Sequence, residues 1–106
     1  MKELDMNTIR ELCNEGKIIW TVHIVRKLQE RGVFQNSVFH AISNGQIIEQ
    51  YPDDYPHPSC LIFGRDINNN PLHIVIGCDG MILYLITAYQ PDNEHFEDDF
   101  ISRKEN

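Results

Sequence analysis

Apolar positions in the first 45 residues recur at three- and four-residue spacing, and after Gly45 they alternate or run in short blocks. The chain therefore reads as helices followed by strands. Ile9, Leu12 and Cys13 make an i, i+3, i+4 stripe that predicts a helix from about Asn7 to Glu15, stopped by Gly16. Lys17 to Trp20 reads as a brief extended link. Thr21 is a good N-cap and Gly32 a good terminator for a second helix, with Val22, Val25 and Leu28 as its apolar face. Val38, Ala41 and Ile42 predict a third, from about Asn36 to Asn44, ended by Gly45. Four apolar segments follow: Gln46 to Tyr51, Ser59 to Arg65, Leu72 to Gly77 and Met81 to Tyr89. Asn68-Asn69-Asn70 and Asp79-Gly80 suit tight turns between the last three, because Asn and Gly tolerate positive φ. The expected fold is α+β, with two to three N-terminal helices packed on a four-stranded antiparallel β-meander.

The first connection between strands differs from the others. Residues 52–58 hold three prolines, so they predict a stiff loop, flanked by Tyr51 and containing Tyr55 and His57. Length fits one domain, drawn here over residues 1–91 with an acidic tail, 92–106, packed on it or extending from it. Hydrophobic residues at 42% are ordinary for a globular protein, and neither a membrane-length apolar run nor a signal-like N-terminus is present. The expectation is a soluble cytoplasmic protein. Cys13, Cys60 and Cys78 lie in apolar segments without framework spacing and read as reduced, buried thiols.

Charge argues against a general nucleic-acid binder, since the net value is -7. The tail carries six acidic against two basic residues, however, and the remaining 91 residues ten against seven, so a local basic patch can coexist with an acidic molecule. Such a patch falls on the second predicted helix. His23, Arg26, Lys27 and Glu30 are spaced i, i+3, i+4 and i+7, which places them on one face, with Arg31 just beyond. The ordinary reading is a solvated face with an Arg26 to Glu30 ion pair. The functional reading is a site. In Leu72 to Ile76 the alternation puts Leu72, Ile74 and Ile76 on one face and His73 with Val75 on the other, while Thr87 and Tyr89 share a face of the next strand.

Metal-independent cleavage of RNA needs a base for the 2'-hydroxyl, an acid for the leaving oxygen and cations for the charge that develops on phosphorus. His23 and His73 suit the first two roles, Arg26 and Arg31 the third, Glu30 a proton-accepting or orienting role and Tyr89 that of a donor. His57, Cys60, His73 and Cys78 lack the paired spacing of zinc sites, and Cys60 lies in an apolar strand that would bury a nucleophile. No phosphate loop or dinucleotide fingerprint occurs, so neither cofactor nor metal is expected. In the tail, Phe96, Phe100 and Ile101 among acidic residues read as a strap capping the core. The alternative is a docking segment, or an autoinhibitory arm that covers the basic helix face.

Ordered motifs run through most of the chain: Trp20-Thr21 with His23, then Glu30-Arg31-Gly32, Asn44-Gly45 with Ile47-Ile48-Glu49 and Tyr51-Pro52, Pro58 to Gly64, Leu72 to Gly77, and Ile86 to Tyr89 with Pro91. Together they resemble a bacterial family of small domains of unknown function, itself similar to RelE- and BrnT-type toxins. The resemblance implies a toxin-like endoribonuclease of a toxin–antitoxin system, with RNA and an antitoxin-like protein as partners; the absence of a long apolar run argues against a membrane partner. The resemblance carries over no residue roles, and the acidic balance departs from the basic character of ribosome-dependent RelE toxins. The alternative is a non-enzymatic protein-interaction module that uses the Tyr51 to Pro58 loop or a strand edge. His23, Arg26, His73 and Tyr89 in one cleft would favour the enzyme; their separation would favour the module.

Overall fold

The computed structural model describes residues 3–92 and 100–101. Three helices, α1 (Met6–Asn14), α2 (Val22–Glu30) and α3 (Gln35–Asn44), pack against a sheet of five strands: β1 (Ile18–Ile19), β2 (Gln46–Tyr51), β3 (Ser59–Arg65), β4 (Pro71–Cys78) and β5 (Leu83–Tyr89). Strand order is β1-β5-β4-β3-β2. The antiparallel run from β2 to β5 has the expected connectivity, but the sheet is mixed and five-stranded. The segment expected as a plain link supplies β1, which pairs parallel with β5 through Ile18 opposite Leu83 and Ile19 opposite Tyr84. Two residues leave no period to read, and their partner comes from the far end of the chain.

Caps explain the helix limits. Asp5 rather than Asn7 opens α1, its carboxylate accepting from the Thr8 amide at 3.0 Å. Thr21 caps α2 as expected, accepting from the Ile24 amide at 3.0 Å. Phe34 precedes α3 without a side-chain cap, and Arg10 instead secures the far end, donating to the carbonyls of Ile42 at 3.3 Å and Gly45 at 2.6 Å. The last strand begins at Leu83, two residues later than expected. Asp79 Oδ1 accepts from the amides of Met81 and Ile82, which keeps both in the turn.

Ile9, Leu12, Leu28, Val38, Ala41 and Ile42 from the helices meet Cys60, Ile62, Leu72, Ile74, Ile76, Cys78, Leu83, Leu85 and Ala88 from the sheet, all buried. At about 1.5 to 3 kcal/mol for each large apolar side chain, this layer is the principal source of stability. Val22 is a correction: as the first residue of α2 it is 76% exposed, and Ile24 packs on the core beside Leu28 instead. The opposite face of the sheet carries Leu61 and Phe63 of β3, His73 and Val75 of β4, and Thr87 and Tyr89 of β5. Leu61 and His73 are buried there as well. Phe100 and Ile101, expected in the strap, are half-buried, and the Phe100 carbonyl meets His73; Phe96 lies outside the described residues.

Gly64 fixes how closely α3 approaches β3. A Cβ there would lie 2.0 Å from the Ala41 carbonyl oxygen, a backbone atom that cannot swing aside. Gly64→Ala is therefore expected to destabilise the fold by about 3 kcal/mol, lowering the midpoint of a thermal melt by about 10 °C or more. An unchanged midpoint would show that α3 does not seat on β3 in this way.

Candidate functional site

The chain leaves α2 through a tight left-handed turn. Gly32 has φ +73°, its amide donates to the Gln29 carbonyl at 3.0 Å, and the Val33 amide donates to that of Leu28 at 2.8 Å. This turn sets Arg31 beside β5 at the helix C-terminus, where a cation is favourable. Its Nη1 donates to Thr87 Oγ1 at 3.0 Å and to the Ala88 carbonyl at 3.1 Å. Thr87 stands opposite Val75, so Arg31 is tied to a residue of the helix-free face.

His73 and Tyr89 occupy that face as direct cross-strand neighbours, with ring centroids 5.5 Å apart and planes at 67°. Phe63 flanks His73 from β3 with centroids at 6.0 Å, edge to face. His73 has no exposed surface. Its Nε2 lies 2.7 Å from the Phe100 carbonyl oxygen. A carbonyl only accepts, so Nε2 carries the hydrogen in this state. Thr87 is the diagonal neighbour of His73 across the two strands, and such neighbours lie about 7 to 8 Å apart. Arg31, Thr87, His73 and Tyr89 thus form one cluster drawn from a helix end and two strands.

The other candidates lie elsewhere. His23, Arg26 and Glu30 are exposed on α2, and among the described residues none of them bonds to His73 or Tyr89. Nor do Arg26 and Glu30 form an ion pair with each other. Arg26 instead lines a shallow groove with Trp20, Val22, Val25, Gln29 and Gln35. The four residues whose convergence would favour an enzyme therefore divide, His73 and Tyr89 together, His23 and Arg26 apart. Cys60 shares the helix side of β3 with Ile62, so the strand itself separates it from His73. Among the described residues no three His, Cys, Asp or Glu side chains are grouped to hold a metal.

A second cluster had no sequence signal beyond the tyrosines and histidine of the proline-rich loop. His57 stacks on Tyr84 with centroids 5.0 Å apart, and Tyr84 donates to Asp79 Oδ2 at 2.9 Å. The Met81 and Ile82 amides, then the Tyr84 hydroxyl, hold the Asp79 carboxyl below the usual carboxylate range. The Asp79 contact raises the Tyr84 phenol. With Glu3, Asp5 and Cys78, His57 and Asp79 border a cleft of about 580 Å³ that contains none of the six candidates. On β2, Tyr51 donates to Glu49 Oε1 at 2.5 Å. Thr87 and Phe63 are brought beside His73 by pairing register rather than by any local pattern, and Phe100 by a contact remote in sequence.

Fold and cluster define an α+β domain with three helices on one face of a mixed sheet and an arginine, a threonine, a tyrosine and a covered histidine at the other. The family described as Domain of unknown function (DUF4258) matches residues 20–90, and the chain belongs to it. No curated protein matches the chain, and no solved structure does.

Burial pushes the Cys60 thiol up to about 12, with neighbouring Cys78 adding to the effect, and burial also raises Cys13. An acid whose folded-state pKa exceeds its unfolded value of 9.0 loses its proton more readily on unfolding, so this group lowers stability as pH rises above about 9. At pH 8, iodoacetamide is expected to spare Cys60 in the native chain and to label it only in denaturant. Rapid native labelling, read by peptide mass mapping, would contradict the burial.

Proposed function

We propose that this chain is a toxin-like, metal-independent endoribonuclease, related in type to RelE and BrnT toxins and neutralised by an antitoxin-like protein. The observation that carries the reading is the cluster on the helix-free face: a guanidinium anchored by Thr87, and an imidazole opposite a phenol. Arg31 spends one nitrogen on Thr87 and Ala88 and retains further N–H donors for phosphate oxygens. His73 serves as the acid–base group and Tyr89 as a donor to the reacting oxygens. His23, Arg26 and Glu30 fall away from this chemistry. Their separation from His73 favours the second reading, a protein-interaction module; Val22 at the start of α2 and Phe34 just before α3 are exposed.

The test is cleavage of a labelled single-stranded RNA by the purified chain in EDTA. Arg31→Ala is expected to lower kcat/KM about 100-fold, the size of effect seen when one donor to a developing oxyanion is removed. Arg31→Lys keeps the charge without the fork and falls between the two. The double variant His23→Ala with Arg26→Ala is expected to cleave like the parent. Full activity in Arg31→Ala, or cleavage of no RNA by the parent and by Phe100→Pro, which cannot keep the Phe100 carbonyl on His73, alike, would leave the interaction module as the better description.

A further inference from the structure

His73 cannot meet a ligand while its Nε2–H is engaged and its surface closed. The group that engages it is a backbone carbonyl from near the C-terminus, Phe100, far from β4 in sequence. Phe100 also has φ +58°, the left-handed region that a bulky L-residue enters only at a steric cost. A strained residue persists where its contacts hold it. One such contact is a 2.7 Å hydrogen bond to a fully buried imidazole on the face that also bears Tyr89 and Thr87.

We propose that the Phe100 carbonyl is an internal stand-in for the ligand of the helix-free face, so that the chain rests in a closed state and His73 becomes available only when Phe100 moves off. The acceptor it mimics is an oxygen, in the working state one of a phosphodiester. The cover lies over the sheet, not over the basic face of α2 where the sequence allowed an autoinhibitory arm. This inference rests on the helix-free face being the working face. The left-handed φ of Phe100 favours release, because its backbone cost offsets part of what the contact with His73 contributes.

Two full-length variants separate the backbone effect from loss of the Phe100 ring. Phe100→Pro fixes φ near -65° and cannot adopt the observed conformation; Phe100→Gly adopts it without strain. Both lose the same side chain. Modification by diethyl pyrocarbonate, mapped by mass spectrometry, reads the exposure of His73, with exposed His23 as the internal reference. The expected result is protection of His73 in the parent and in Phe100→Gly, and loss of that protection in Phe100→Pro, with cooperative melts in all three. Should Phe100→Pro fail to melt cooperatively, Phe100→Gly decides alone, since reactive His73 in it would overturn the inference. Continued protection in a folded Phe100→Pro, or a reactive His73 in the parent, would also overturn it. The same variants are tested for binding of a single-stranded RNA: tighter binding by Phe100→Pro than by Phe100→Gly supports cover and function together. Exposure of His73 without RNA binding supports the cover and overturns the ribonuclease reading.

Discussion

β4 is the central strand of the sheet, buried over most of its length, and its two-residue alternation constrains everything around it. Leu72, Ile74, Ile76 and Cys78 turn to the helices and form the core, so His73 turns the other way, into a position with no exposed surface. A buried imidazole without a hydrogen-bond partner costs on the order of 1 to 3 kcal/mol. The fold meets this demand with edge-on aromatic rings from both neighbouring strands and with a carbonyl from near the C-terminus. Moving β4 by one residue would send its apolar set to the wrong face and strand the histidine in the core. The cluster on the helix-free face thus follows from the same alternation that builds the core.

The second helix divides its work by angle. Ile24 and Leu28 bury toward the sheet, Arg31 meets β5 at the helix end, and His23, Arg26 and Glu30 stay in solvent. Arg31 separates from its helical neighbours because Gly32 ends the helix one residue later, leaving Arg31 at the C-cap, within reach of Thr87. Gly64 makes a comparable adjustment on α3. By leaving out a Cβ it lets the backbone of Ala41 seat directly on β3, and Asn44 then bonds both the amide and the carbonyl of Arg65 at 2.9 and 2.8 Å.

Much of the architecture was legible in local pattern. The limits of β2 could be read from an apolar block between Gly45 and Pro52 and the start of β3 from Pro58, and Thr21 and Gly32 bracketed α2 because capping and left-handed termination are properties of single residues. Val22 misled because apolar spacing does not reveal which turn of a helix overhangs the sheet. Ile18–Ile19 escaped because its parallel partner is remote in sequence. Of the six residues singled out for chemistry, Arg31, His73 and Tyr89 share a neighbourhood. Helical spacing had grouped His23, Arg26 and Glu30 correctly with one another, on a face that points away from the sheet.

Local pattern carried the α+β order, the two faces of β4, the caps of α2 and the presence of an arginine, two histidines and a tyrosine suited to acid–base and phosphate chemistry. These follow from periodicities of 3.6 and 2 and from single-residue backbone preferences, all local quantities. Which of those groups meet depends on packing between distant segments. Strand register put Tyr89 opposite His73, helix termination brought Arg31 to Thr87, and long-range closure of the chain laid the Phe100 carbonyl on the imidazole. Register, crossing position and the packing of a distant segment are set by the fit of the whole core, and no window of neighbouring residues encodes them.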